Sequence, residues 1–455
     1  MAVAIALFTR DLRVRDNPAL TAAARSAEVL PVFVVDETIC ASDYLSPNKA
    51  TFLAATLADL DDQLRRLGGC LLLRGGDTVR EVCQLVRQYS VDEVHVAADV
   101  SGYSRRREDR LRARLTQLGC RLRVHDSGTT VAAPGHLLPS GGTDHFAVFT
   151  PYFRRWSSMG MRAPLPAPRR IHLPDGVGTD RVPTAAELRV GEVSPELAPG
   201  GESAGRRAAR NWFRDGIAAY SDLHDDLAAD ATSRLSPYLH FGCLSAVELV
   251  HRSDSSSPGG AAFVRQLAWR DFHHQMLAAR PSAAHSDYRS RNDRWSDDDA
   301  LLAAWRAGRT GYPIVDAGMR QLAAQGWMHN RARLITASFL TKTLYVDWRA
   351  GAKHFMGLLA DGDVANNQLN WQWMAGTGAD TRPNRILNPI RQADRYDPEG
   401  DYVRRWVPEL ARLRGSDIHQ PWRLTQDATT GYPARIVDHE HAAAEFRTLR
   451  QRDSH

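Results

Sequence analysis

Two domains of different class are expected: an α/β unit with a mostly parallel five-stranded sheet, then a unit built almost entirely of helices. Three observations carry this. Residues 1–130 alternate short β-rich runs with helix-periodic runs, and residues 132–204 scatter ten prolines among many glycines. Beyond Glu202 β-branched runs become scarce and apolar residues recur at helical spacing. At 455 residues the chain also exceeds what one hydrophobic core comfortably serves.

The strand candidates are Val3–Phe8, Leu30–Val35, Cys70–Leu73, Glu93–Ala98 and Arg121–His125. Between them the spacing predicts helices over Pro18–Ser26, Lys49–Leu67, Thr78–Gln88 and Arg105–Leu118; in the second, Phe52, Leu53, Leu57, Leu60 and Leu64 form one stripe. This is a Rossmann-like βαβ rhythm, whose ligand crevice lies at the carboxyl ends of the strands. Arg10 and Asp11, Asp36 and Glu37, and Asp99 crowd that edge. After the first strand stands TRDLRVRDNPAL rather than a GxGxxG phosphate loop, which argues against an ordinary dinucleotide domain.

The domains are therefore set at 1–131, 132–204 (a connection) and 205–455. The connection is too long for an ordinary loop and is expected to run over the surface, with a short packed turn of helix near Ala147–Arg154 and Trp156. Helices are expected at Gly205–Tyr220, Ser245–His251, Ala261–Ala279, Asp298–Ala307, Ile314–Gly326, Arg331–Arg349, Lys353–Leu359, Tyr402–Leu410 and Asp438–Leu449.

The net charge is only +5, yet 55 of the 58 basic residues are arginine, the lysines being Lys49, Lys342 and Lys353. Guanidinium forks suit phosphate and flat rings, although a GC-rich genome produces the same bias. Five scattered cysteines, never in CxxC spacing, make neither a zinc site nor a disulfide framework, so no metal is expected. No apolar run reaches the ~18–20 residues of a membrane span, and the first run, VAIALFT, reads as a strand. A monomer of the reducing cytoplasm is the default.

Chemistry concentrates in Gln325–Thr381, which holds Trp327, Trp348, Trp371 and Trp373, the carboxylates Asp361 and Asp363, and a pair of asparagines. Large aromatics beside charges that cannot be buried alone suit a big, flat ligand with polar edges. A helix running from Asn330 to Trp348 would put Arg333, Ala337, Leu340, Leu344 and Trp348 on one face. Arg333 there needs an acid such as Asp361; an interhelical salt bridge explains the pair equally well. Thr232, Ser233, Arg234, Leu235 and Ser236 offer hydroxyls and one guanidinium as a phosphate seat, and serve equally as loop and cap residues. Nine of the eleven tryptophans lie between Trp269 and Trp422, and Trp269 stands beside Arg265 and Arg270, a combination that stacks a base and holds phosphate or forms an amphipathic helix with a wet edge.

Taken together, FTRDLRVRDNPAL, TSRLSPYLHFG, LAWRDF, GYPIVDAGMRQL, GWMHNRARLITASFL, DGDVANNQLNWQW, GTGAD and RILNP make the whole chain resemble the DNA photolyase/cryptochrome family, and within it class I cyclobutane pyrimidine dimer photolyases. The resemblance implies one FAD in the helical domain, active as its reduced anion. Tyr220, Thr232–Ser236 and Asn330 would bind its diphosphate and sugar side. Arg333 and Asp361 would pair beside the ring, Asp363 would meet the ring or ribityl chain, and Asn367 would face N5. Plant-type receptors have an acid at the last position, so Asn367 favours repair.

The same resemblance implies that Trp371, Trp348 and Trp295 conduct electrons from solvent to the flavin. Trp269 and Trp373 would wall a pocket for a lesion flipped out of ultraviolet-damaged DNA, and Arg270, Arg331 and Arg385 would contact phosphates without reading sequence. Excited reduced FAD would pass one electron to a cyclobutane dimer and recover it after the ring splits. One departure stands at Gln266, where dimer photolyases usually have Glu; Gln occupies this place in the (6-4) photoproduct branch. A (6-4) photolyase and a blue-light receptor acting through protein partners are the alternatives. The α/β domain would hold an antenna, 8-hydroxy-5-deazaflavin or alternatively folate, at Arg10, Lys49 and Asp99.

Overall fold

The structure is a computed structural model that describes residues 2–126, 128–178, 181–425, 429 and 431–452. Its sheet has five parallel strands, β1 (Val3–Phe8), β2 (Glu28–Asp36), β3 (Leu72–Gly76), β4 (Glu93–Ala97) and β5 (Arg121–His125), in the order β3-β2-β1-β4-β5. All six β1 residues are buried, as the unbroken run VAIALF requires of a strand covered on both faces. Edge strand β5 carries exposed Arg121 and Arg123, both bonded to Glu93, which keeps that edge from pairing with another chain.

Alternate β1 residues serve opposite layers. Ile5 and Leu7 pack with Val82, Val86, Leu111 and Leu115 of the helices α3 (Thr78–Tyr89) and α4 (Gly102–Gln117). Ala4, Ala6 and Phe8 pack with α1 (Pro18–Ala23), α2 (Pro47–Arg66) and, in the same cluster, Tyr238, Phe241 and Leu267 of the helical part. One face of the sheet is thereby the floor on which the helical part rests. Asn17, Ser46, Asp77 and Ser101 cap these four helices through side-chain acceptors.

The packed turn of helix expected near Ala147–Arg154 and Trp156 is present within the connection. This helix, α5 (Phe149–Ser158), buries Phe149, Tyr152 and Trp156 against α6 (Pro258–Ala279). Asp271 of α6 accepts from Trp156 Nε1 at 3.0 Å and from the backbone of Val131 and Ala132 at 2.9 and 2.8 Å. The prolines break long elements, but the aromatics among them still find a core.

The helical part includes α7 (Pro313–Gln325), α8 (Asn330–Ser338), α9 (Trp348–Leu358), α10 (Val364–Ala375) and α11 (His439–Arg452). The single helix expected over Arg331–Arg349 is broken. A π-helical turn, Phe339–Thr343, ends α8, Tyr345 turns left-handed at φ 52°, and Asp347 caps α9 by accepting from Arg349 N. The common face from Arg333 to Trp348 therefore does not exist; Trp348 opens the next helix. α10, not among the helices expected above, is capped by Asp363 and ended by left-handed Gly376. Its Asn- and Gln-rich sequence hides the apolar period.

Candidate functional site

The loop between α9 and α10 carries the two aspartates. Arg333 donates to Asp361 Oδ2 at 2.8 Å and to Met328 O at 2.9 Å, so the expected pair forms although the expected helix face does not. The other oxygen, Asp361 Oδ1, is buried without a hydrogen-bond partner, as is Thr232 Oγ1. Such atoms are costly to leave unmatched and mark where a polar-edged ligand belongs.

Asp363 has partners on both sides. Its carboxylate accepts from Arg10 at 2.5 Å and from Asn366 N and Nδ2 at 2.9 and 2.8 Å, which ties the helix start to the α/β part. Burial opposes its charge, but Arg10, with His274 and His240, outweighs it and holds the carboxyl well below the usual range.

Arg10, Lys49 and Asp99 all line a cavity of about 330 Å³ at the carboxyl ends of β1, β2 and β4, together with Phe33, Tyr44 and Tyr103. Arg10 also lies 3.4 Å from Asp99. Lys49 spends its ammonium elsewhere, donating to Tyr44 O at 3.0 Å and Met356 O at 3.2 Å. Asn48 donates to Leu358 O at 2.5 Å, so α2 satisfies carbonyls at the end of α9. Burial pushes Lys49 down to about 7, with Asp361 and Asp363 working against it.

α10 brings two sets of residues within two turns. Asn367 is buried and donates to Ala352 O of α9 at 3.1 Å. Trp371 lies on the same helix pair: a Cβ on Gly351 would stand 2.3 Å from its ring, so only glycine permits the approach. Trp371 meets Phe355 edge-on at 4.9 Å and Trp305 at 5.9 Å. Trp305, fully buried, is an aromatic neighbour that the sequence reading did not single out. Trp348 is also fully buried, and half-buried Trp295 packs on Tyr345 at 5.0 Å.

Trp373 of α10 meets Trp269 of α6 edge-to-face at 5.5 Å, making the corner of aromatics expected for a lesion wall. Phe149 stacks behind Trp269 at 3.7 Å and 6°, with Arg265 4.8 Å over it. Phe149 was missed because its pairing crosses 120 residues of chain. Gln266 is exposed, and so is Arg385.

The other two arginines are paired within the chain. Arg270, with 12% of its side chain exposed, donates to Thr129 O at 2.6 Å and Leu239 O at 3.4 Å, so it ties two backbone segments together. Arg331 pairs with Asp225 at 2.5 Å and lies 4.3 Å over Tyr396. Both sit where neighbouring carbonyls or an acid satisfy the guanidinium that burial would otherwise strand.

Around the hydroxyl cluster, Arg234 is left-handed at φ 50°, pairs with Asp230 at 2.6 Å and stacks 4.4 Å over Trp327. Ser236 accepts from Trp327 Nε1 at 3.3 Å, Leu235 is buried, and Ser233 is half-buried. Tyr220 is buried edge-on to Trp212 at 5.2 Å, and Asn330 is exposed at the start of α8. Among the described residues no cluster of three or more His, Cys, Asp or Glu could hold a metal, and no helix is long and apolar enough to cross a membrane.

A parallel sheet ending in a lined cavity and a helical part with an Arg–Asp pair and a tryptophan corner make the architecture of a two-part protein with room for large flat ligands. The chain belongs to the DNA photolyase family: residues 4–169 match the profile described as DNA photolyase, and residues 263–452 match the FAD binding domain of DNA photolyase. It is 56% identical to the deoxyribodipyrimidine photo-lyase of Streptomyces griseus over the full length of both chains. Among solved structures, the class III photolyase of Agrobacterium tumefaciens is 32% identical with a TM-score of 0.92, covering 100% of this chain and 98% of that one. The archaeal photolyase from Sulfolobus tokodaii, solved with two FAD molecules, is 30% identical with a TM-score of 0.85, covering 99% and 100%.

Proposed function

We propose that this chain is a deoxyribodipyrimidine photo-lyase that repairs pyrimidine dimers in DNA with light and FAD, and that its lesion is the cyclobutane dimer. Supporting this is the placement of Asn367, Trp371 and Trp373 on the single helix α10, the first two buried beside α9 and the third against Trp269. A cofactor and a flipped lesion served by one rigid helix stand at a constant separation, which electron transfer requires.

FAD fits the residues present, since Asp361 Oδ1 and Thr232 Oγ1 are buried acceptor and hydroxyl groups without partners. Bound and reduced, FAD supplies the electron that light sends to the lesion and takes it back after the cyclobutane bonds part. Arg333 holds Asp361 in one orientation, so that its unpartnered Oδ1 would be free to accept from the flavin. Asn367 offers an amide that hydrogen-bonds a ring nitrogen without adding a negative charge. Tyr220, Thr232 to Ser236 and Asn330 would bind the sugar and diphosphate, with Arg234 exchanging Asp230 for phosphate. Trp371, Trp348 and Trp295 would recharge the cofactor. Trp269 and Trp373 exclude water from the lesion face, Gln266 bonds a base edge, and Arg385 approaches phosphate from the exposed loop. Arg331 joins it on exchanging Asp225 for phosphate.

The cavity above β1 and β4 would hold a second, light-harvesting chromophore, 8-hydroxy-5-deazaflavin rather than folate. Its mostly apolar lining and its polar end at Arg10 and Asp99 support this. Gln266 favours a second reading, repair of the (6-4) photoproduct, because Gln presents an amide where a carboxyl is usual for cyclobutane dimers.

The test is illumination of the reduced protein with oligonucleotides bearing one lesion or the other. Thymine absorbance returns with the cyclobutane dimer alone. Return with the (6-4) product alone installs the second reading, and return with neither, despite bound reduced flavin, moves the protein to the receptor branch.

A further inference from the structure

Trp348 has an acidic neighbour that neither the motifs nor the repair chemistry requires. Its indole Nε1–H donates to Asp287 Oδ1 at 2.8 Å. Asp287 comes from the loop after α6, 61 residues earlier in the chain, and only 15% of its side chain is exposed. Arg349 donates to the same oxygen at 2.9 Å and lies 4.8 Å over the Trp348 ring. A second carboxylate, Asp347, accepts from Arg349 at 3.0 and 3.2 Å. Two carboxylates and one guanidinium leave one net negative charge around a tryptophan with no exposed surface.

That charge matters because of where Trp348 stands. It is the first residue of α9, where the helix dipole is positive and makes loss of an electron harder. A carboxylate hydrogen-bonded along the indole N–H opposes this at short range, beside a ring with no exposed surface. Trp371 rests on Gly351, one turn further along the same helix.

We propose that Asp287 makes Trp348 an easier electron donor by holding the positive charge left on its indole when an electron passes from Trp348 to an oxidised Trp371. The inference rests on the Trp371–Trp348–Trp295 route given under the proposed function. One electron leaves the Trp348 ring and no bond breaks. The Nε1 proton stays on nitrogen, drawn toward Oδ1, and an electron from Trp295 then restores neutrality. Asp287 is a positioning residue acting through Trp348, and it touches neither cofactor nor DNA.

The experiment uses the flavin-loaded protein in its oxidised form with an external thiol under blue light. Asp287→Asn keeps an acceptor and loses the charge; its initial photoreduction rate falls about fivefold or more, with a matching loss of the transient tryptophan-radical absorbance. Asp287→Glu restores both to within about twofold, and flavin content stays at one per chain in each variant. In flavin-free protein, the Trp348 indole proton exchanges slowly with heavy water, and Asp287→Ala speeds that exchange, since it removes the acceptor. Wild-type photoreduction and radical yield in Asp287→Asn, while Trp348→Phe is impaired, overturns the proposal and leaves the route standing. Normal photoreduction in Trp348→Phe removes the route itself. Loss of flavin in both Asp287→Asn and Asp287→Glu assigns Asp287 to structure alone and overturns the proposal.

Discussion

Arg10 Nη2 stands 2.5 Å from Asp363 Oδ2, joining the loop after the first strand to a helix start 353 residues later. With Asp99 on its other side, Arg10 is the charged seam between the cavity at the sheet's carboxyl edge and the helical site. Asp99 and Asp363 outweigh the burial that opposes its charge and raise its pKa.

Arg10→Met strands two buried carboxylates and lowers stability by about 3 kcal/mol at neutral pH, read from denaturant midpoints. Asp363 and Asp99 both have folded pKa values below the ordinary one, so their stabilisation is complete above about pH 4 and fades as pH falls through the folded values. The gap between wild type and Arg10→Met therefore narrows in acid. A gap that stays constant from pH 7 to pH 3 counts against the pair.

Lys342 lies beneath the loop that bears Arg385. Its ammonium donates to Pro383 O at 2.8 Å and to Arg385 O at 2.7 Å. Lys342→Met leaves two carbonyls without a donor, loosens that loop and weakens binding to damaged DNA by roughly tenfold, at unchanged flavin content. Gel-shift titration and limited proteolysis of the loop read the two effects.

Burial pushes Lys342 down to about 7, opposed by Asp380, and Lys49 to about 7 likewise. Between about pH 7 and pH 10 the unfolded chain then binds more protons than the folded one, so these two lysines make stability rise with pH. The rise is on the order of a few kcal/mol. The double substitution Lys49→Met with Lys342→Met abolishes that slope, as denaturation at pH 7, 8.5 and 10 measures.

Phe149 keeps the Trp269 plane in place from behind. Phe149→Leu removes a stacked pair worth about 1 kcal/mol and weakens lesion binding about fivefold. Phe149→Tyr restores it. Unchanged affinity in Phe149→Leu would show that Trp373 and Trp269 hold each other without support.

Gln266→Glu exchanges an exposed amide for the carboxylate usual in dimer photolyases. Affinity for the cyclobutane dimer rises about threefold, the roughly 0.5–1 kcal/mol by which a hydrogen bond to a charged group exceeds a neutral one, with flavin content unchanged. Flavin loss instead would put Gln266 on the cofactor side.

All five strands were readable to within a few residues because a buried parallel strand needs an unbroken apolar run, as in VAIALF, and the helices between them because Phe52, Leu57, Leu60 and Leu64 repeat at helical spacing. Charge narrowed the partner of Arg333 to Asp361 or Asp363, and the family resemblance singled out Asp361, which is the one it meets. The break at Tyr345 was not readable: Ala337, Leu340, Leu344 and Trp348 keep a helical period across it, while the left-handed turn and the Asp347 cap depend on how α9 packs. Nor was Arg270 readable as an inward residue, since the carbonyls that satisfy it come from Thr129 and Leu239.

The amino-acid sequence by itself determined the two architectures, the family motifs and which residue types could serve a flavin and a base, because periodicity and side-chain chemistry are local properties. Tertiary structure alone decided the partners of the charged groups: Asp363 turned to Arg10, Lys49 to the end of α9, and Asp287 came to Trp348. A buried charge takes the nearest group able to satisfy it, and only the folded chain says which group is near.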